Sequence, residues 1–138
     1  MGMSVLKIDA QVQKLDEVLG FVDGELEKAG ASMKVQMQID VAVEEIFVNI
    51  ASYAYGESSG QAEISFDYRE DDTTAVISFT DQGVEFNPLG KEDPDIGLSA
   101  EERQIGGLGI FIVKKSMDKV SYERRDNSNI FIIEKKLT

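Results

Sequence analysis

Two alternating stretches separated by three acidic residues constrain this chain more than anything else in it. Gln61 to Arg69 puts Ile64, Phe66 and Tyr68 on one side and Glu63, Ser65 and Asp67 on the other. That period-two pattern is a strand with one covered face. Thr73 to Thr80 repeats it with Ala75, Ile77 and Phe79, and Glu70-Asp71-Asp72 between them reads as a turn. Strands joined this tightly pair antiparallel, because a parallel pair needs a crossover of about a dozen residues or more. A second pair follows, Lys119 to Arg124 and Asn129 to Lys136, around Asp126-Asn127-Ser128. Apolar on one face, such strands need a second layer to cover them.

The first part of the chain supplies that layer. Ser4 to Ile8 reads as a short strand. From Ala10 to Ala29 the apolar residues Val12, Leu15, Val18, Leu19, Val22 and Leu26 follow helical spacing. Gly20 and Gly24 weaken this helix and Gly30 suits its end. Ser32 is placed to cap a second helix, from about Met33 to Ala54, which Gly56 and Ser58-Ser59-Gly60 terminate. A short helix is expected from Ile110 to Met117. The order β-α-α-β-β-loop-α-β-β predicts an α+β fold, a two-layer α/β sandwich with a largely antiparallel mixed sheet. It is not the alternation of a doubly wound fold. The 138 residues show no repeat, low-complexity tract or linker, so one domain spanning 1–138 is expected.

Composition removes several kinds of chemistry. There are no cysteines and no histidines. Disulfides, thiolate or imidazole metal sites, cysteine nucleophiles, serine–histidine triads and a phosphohistidine step are therefore excluded. General-base chemistry is left to a carboxylate, lysine or tyrosine. A formal net charge of −12 opposes binding to nucleic acid or to an anionic membrane surface. No stretch approaches the apolar length of a membrane span. Met1 to Ile8 lacks the basic start and apolar core of a signal peptide, so a cytoplasmic location is expected.

Three short elements carry chemistry. In the second helix, Glu45 and Asn49 stand one turn apart, about 40° round the axis from each other. The apolar set Ile39, Val43, Ile46, Phe47, Ile50 and Ala54 faces the core, and the pair lies roughly 100–140° from the middle of that stripe. Alone, the pair also suits the solvated flank of an ordinary amphipathic helix. Asp81-x-Gly83 follows a strand. Its aspartate is a turn residue, or a carboxylate acceptor for an exocyclic amine, with Gly83 admitting a ligand closely. Gly106-Gly107-Leu108-Gly109 precedes a helix. It is punctuation, or a place where backbone N–H groups meet an anion. Between Asp81 and Ile105 all regular patterning stops. The segment holds Pro88, Pro94 and the acids Glu92, Asp93, Asp95 and Glu101. A loop this long is a functional segment or a surface insertion.

Taken together and in this order, the three elements resemble the GHKL ATPase superfamily of gyrase, heat-shock chaperone, histidine kinase and MutL. Glu45 to Asn49 looks like its N box, Asp81-Gln82-Gly83 its first glycine box, and Gly106 to Gly109 its second. The small size, the Gly-Gly-Leu-Gly-Ile-Phe-Ile-Val run and the Glu-x-x-x-Asn-x-x-x-Tyr-Ala-Tyr helix are similar to the anti-sigma factor serine/threonine-protein kinases of bacteria. The resemblance runs from about Lys7 to Leu137. It implies the Bergerat, or histidine kinase-like ATPase, fold with an ATP lid at about 84–105.

The resemblance also implies roles. Asn49 would hold Mg²⁺ on the triphosphate. Glu45 would be the general base for a partner's serine. Asp81 would read the adenine amino group, with Gly83 beside the base. Gly107, Leu108 and Gly109 would cradle the phosphates, and Lys91 or Arg103 would reach them from the lid. Cofactors would be ATP and Mg²⁺. Partners would be an anti-anti-sigma (STAS-type) protein, a sigma factor and a second copy in a homodimer. The chain departs from the family twice. Tyr53 stands where many relatives carry histidine, and Ser128 or Asn129 where many carry a threonine near the adenine. The expected activity is serine-protein kinase activity within a partner switch. The alternatives are a nucleotide-gated protein-binding adaptor of the same fold without kinase activity, and an ATPase or kinase domain working within a larger machine.

Overall fold

Both hairpins form and share one sheet. In the computed structural model, which describes residues 3–56, 58–90 and 107–138, the strands are β1 (Ser4–Asp9), β2 (Gln61–Arg69), β3 (Thr74–Asp81), β4 (Lys119–Arg125) and β5 (Ser128–Lys136). They lie in the order β1-β2-β3-β5-β4. Every ladder is antiparallel, so among the described residues the sheet has no parallel pair to make it mixed. The helix count explains this. The chain leaves β1, runs out along α1 (Leu15–Ala29) and returns along α2 (Met33–Tyr53). Two helices bring it back to the end it left, so β2 must run against β1; one crossover helix would have made them parallel. β3 and β4 do point the same way, but β5 lies between them.

The helices cover one face of the sheet. Val18, Val22 and Leu26 of α1 and Ile39, Val43, Ile46, Phe47 and Ile50 of α2 are buried against Ile64, Phe66, Ile77, Phe79, Phe131 and Ile133 of the strands. α3 (Gly107–Ser116) adds Val113, with Met117 just beyond it. Gly30 closes α1 at φ 82, a left-handed conformation that favours glycine. Ser32 Oγ accepts from Val35 N–H at 3.2 Å and caps α2. Asp126 and Asn127 turn at φ 52 and 64. This two-residue turn matches the twist of the flanking strands, so β4 and β5 each extend one residue further than expected.

Three more boundary differences bear on the core and the site. The helix expected from Ala10 opens as a 3₁₀ turn, Val12–Lys14, and Val12 is 51% exposed rather than in the core. Asp81 closes β3 instead of following it. α3 starts at Gly107, so Gly107 and Gly109 of that run lie in its first turn. Of the expected lid, 91–105 lies outside the described residues, as do Lys91, Arg103 and Gly106.

Asp23 of α1 and Asp40 of α2 meet between the two helices, and each has an Oδ1 that is buried without a hydrogen-bond partner. Burial, then the hydrogen bond and the charge of Asp23, push the Asp40 carboxyl up from 3.8 to about 7. A raised folded-state pKa means stability that is whole below about pH 3.8 and lost as pH rises through about 7. Asp40→Asn removes the charge but keeps the shape. Because the pair is partly solvated, the gain expected at pH 8 is only about 1 kcal/mol, or about 4 °C in Tm, fading towards pH 4. Thermal melts at the two pH values check this, and equal melting temperatures for variant and parent at pH 8 would contradict it.

Candidate active site

The core-facing alternation of two neighbouring strands ends in a polar residue at the same end of the sheet. On β3, Ala75, Ile77 and Phe79 lead to Asp81; on β5, Ile133 and Phe131 lead to Asn129, directly opposite Asp81 in the ladder. Both are buried, at 5% and 7% exposure. Buried polar groups need partners. Asn129 Nδ2 donates to Asp81 Oδ1 at 3.0 Å and to the Val84 carbonyl at 2.7 Å. Its Oδ1 accepts from the Tyr122 hydroxyl at 2.6 Å and from Phe86 N–H at 3.4 Å. Two donor hydrogens and two acceptor lone pairs are thereby used, the full capacity of a carboxamide. Burial, with the charge of Glu85, holds the Tyr122 hydroxyl above the usual tyrosine range, so it stays a protonated donor. Asp81 Oδ1 also accepts from Gly83 N–H at 2.9 Å. These bonds converge on Oδ1 and fix the carboxylate plane, and among the described residues no hydrogen bond reaches Oδ2.

The exit from β3 is held from three sides. Val84 N–H donates to the Ala54 carbonyl at 2.8 Å, joining it to the end of α2. Arg124 Nη1 donates to the Gly83 carbonyl at 2.9 Å. The Tyr55 hydroxyl accepts from Gln82 N–H at 2.9 Å and donates to the Gln61 carbonyl at 2.6 Å. At Gly83 a Cβ would run into the Ala54 carbonyl, which is backbone and cannot swing aside. Gly83→Ala should therefore break the Ala54–Val84 bond and cost about 1–3 kcal/mol. Denaturant unfolding of the variant measures it, and unchanged stability would show that this approach is not tight.

Glu45 and Asn49 are both half-buried on α2. Asn49 lines a cleft of about 660 Å³, part of it open to solvent, that also reaches Asp81, Asn129 and the β3 exit. Ile46, Ile50, Ile110 and Phe131 form its apolar floor, and Tyr53, Phe86 and Pro88 stand round it. Glu45 faces α3: a Cβ on Gly109 would collide with the Glu45 carboxylate. Glycine thus lets a carboxylate lie against the first turn of a helix, where unpaired N–H groups favour negative charge. Glu44 is exposed, so of the two adjacent acids only Glu45 meets α3.

Asn49 and Asp81 thus line one cleft, Glu45 and Gly109 touch, and Gly83 abuts the end of α2. Gly107 and Leu108 belong to the first turn of α3. In sequence Asn129 marks only the place, with Ser128, where many relatives carry a threonine. Its role as a four-bond bracket, with Tyr122 and Arg124, was not foreseen. The signal was there in two polar residues, Asp81 and Asn129, each closing an apolar alternation.

Among the described residues no three Asp, Glu, His or Cys side chains stand together as a metal site. No helix among them is long and apolar enough to cross a membrane. A family profile described as histidine kinase-like ATPase domain matches residues 8–135. The serine-protein kinase RsbW of Listeria monocytogenes is 30% identical over 104 residues, covering 72% of this chain but 65% of that protein. RsbW of Staphylococcus aureus is 26% identical over 133 residues, 91% of this chain and 81% of its own. The structure of the RsbU and RsbW domains of Rv1364c from Mycobacterium tuberculosis superposes with a TM-score of 0.71 over 99% of this chain and 33% of that one, at 14% identity. At that identity the likeness speaks for the fold. With one profile spanning both the Glu45/Asn49 helix and the sheet that holds Asp81, the chain belongs to the histidine kinase-like ATPase domain family.

Proposed function

We propose that this chain is a cytoplasmic, Mg-ATP-dependent protein serine kinase. Its substrate is an anti-anti-sigma (STAS-type) protein, in a partner switch that controls a sigma factor. The observation that carries the reading is the position of Glu45. Its carboxylate lies against Gly109 at the start of α3, one helical turn from Asn49 in the cleft that Asp81 closes. Asp81 Oδ2 accepts a hydrogen bond from the adenine amino group, and the apolar floor takes the base. The N–H groups of Gly107, Leu108 and Gly109 meet the phosphates. Glu45 accepts the proton of the serine hydroxyl as its oxygen bonds the γ-phosphorus and the bond to the β-phosphate oxygen breaks, releasing ADP.

Mg²⁺ fits the donor set. A neutral oxygen on Asn49 suits a hard cation that keeps its waters and leans on phosphates. When bound it supplies charge neutralisation at the transferring phosphoryl group. The two relatives named serine-protein kinase support the choice of acceptor. The test is to incubate the purified chain with labelled ATP, Mg²⁺ and individual STAS-type proteins. Phosphoserine on one of them is expected. Partner affinity that depends on ATP, without transfer, would replace this reading with that of a nucleotide-gated adaptor.

A further inference from the structure

One i+4 ridge of α2 changes character along its length. Met33, Met37 and Val41 are 74%, 61% and 43% exposed. The next residue on the ridge is Glu45, and the two after it, Asn49 and Tyr53, line the cleft. At about 100° per residue Met33, Met37 and Val41 lie roughly 80°, 120° and 160° round the helix from the middle of the buried stripe of Ile39, Val43 and Phe47. They face solvent and do nothing for the core. α3 runs antiparallel beside α2, since it starts against Glu45 and ends next to the start of β4, at the sheet end where α2 begins. Ile112, one turn past Gly109, is 38% exposed. Glu45 therefore stands at the boundary between a nucleotide cleft and an exposed apolar surface drawn from two helices.

We infer that the ridge Met33–Met37–Val41, with Ile112, is the docking surface for the protein that accepts the phosphate. This rests on the kinase reading above and adds where its substrate sits. The nucleotide occupies the Asn49 side of Glu45, so a hydroxyl reaching that carboxylate must come from the other side, which is the ridge. An exposed apolar row that runs up to a reactive carboxylate suits a protein partner. A lipid surface is disfavoured by the net charge of −12. A second copy of this chain seated on the ridge would close the route to Glu45. The exposed Glu44 beside Glu45 makes the catalytic end of the ridge acidic. The acceptor segment is accordingly a serine with apolar neighbours towards Met37 and a basic residue towards Glu44.

The test is the double variant Met37→Gln/Val41→Gln. Both positions are exposed and glutamine keeps the helix. Met3→Gln, 64% exposed beside the edge strand β1, is the control. Each is assayed with the STAS-type protein that the parent phosphorylates. The double variant should raise KM for that protein at least tenfold, while kcat at saturating acceptor and calorimetric Mg-ATP affinity stay at parent values; the control should change nothing. An unchanged KM overturns the docking surface and leaves the kinase reading standing. So does a fall in kcat alone, or a parent dimer that the double variant dissociates without acceptor. If the parent binds Mg-ATP but phosphorylates no STAS-type protein, the kinase reading fails and the docking surface goes with it.

Discussion

Replacing Glu45 by glutamine should lower phosphate transfer by about 10²–10⁴-fold, the usual worth of a general base, and leave Mg-ATP affinity unchanged. Glutamine keeps the shape that packs against Gly109 but is a far weaker proton acceptor. A lost rate therefore reports chemistry rather than a collapsed helix contact. The complementary change is Gly109→Ala, whose methyl group would displace the carboxylate without altering its charge. It should lower the rate as well, because a small misplacement of a reacting group is costly. Single-turnover transfer with bound ATP measures both. Full transfer by Glu45→Gln would remove the carboxylate from the reaction and leave it a helix-packing residue.

Asp81→Asn should weaken ATP binding by about tenfold to a hundredfold, the range for a hydrogen bond to a charged group. It should also narrow the preference for ATP over GTP. An amide can donate to the carbonyl that guanine carries where adenine has its amine; a carboxylate cannot. Asn129→Ala tests the support rather than the contact. It strips Asp81 Oδ1 of one donor, the Val84 carbonyl of its donor and the Tyr122 hydroxyl of its acceptor. The expected result is weaker ATP binding together with a stability loss of about 1–3 kcal/mol. Calorimetric titration and denaturant unfolding separate the two cases. If Asp81→Asn binds ATP and GTP as the parent does, the carboxylate does not read the base.

The exposed Val12 shows where periodicity falls short. It sits on the helical face as well as Val18 does. The chain leaving β1 first hydrogen-bonds Ala10 N–H to the Gly60 carbonyl, and the helix starts only at Leu15. A tertiary bond thus set a boundary that spacing could not. The glycine run is a second case. Its residues read as loop because glycine disfavours helix interiors, yet Gly107 opens α3. Gly109 lies in that first turn, where any side chain would have to displace the Glu45 carboxylate.

The strands, their hairpin pairing and the covering helices were legible in the amino-acid sequence because local rules govern them. Period-two and helical spacing fix which faces are apolar, and short polar turns fix which strands are antiparallel. The spacing of Glu45 and Asn49 likewise placed both on one side of a helix. Their surroundings were not legible. That Glu45 lies against Gly109 depends on how α3 packs beside α2. That Asp81 is held by Asn129 depends on β5 entering the sheet between β3 and β4. Contacts between residues 48 or 64 positions apart are set by which surfaces can be buried together, and no local pattern encodes that choice. The three dispersed elements were visible in the chain, but only packing set Asn49 and Asp81 along one cleft and Glu45 against Gly109.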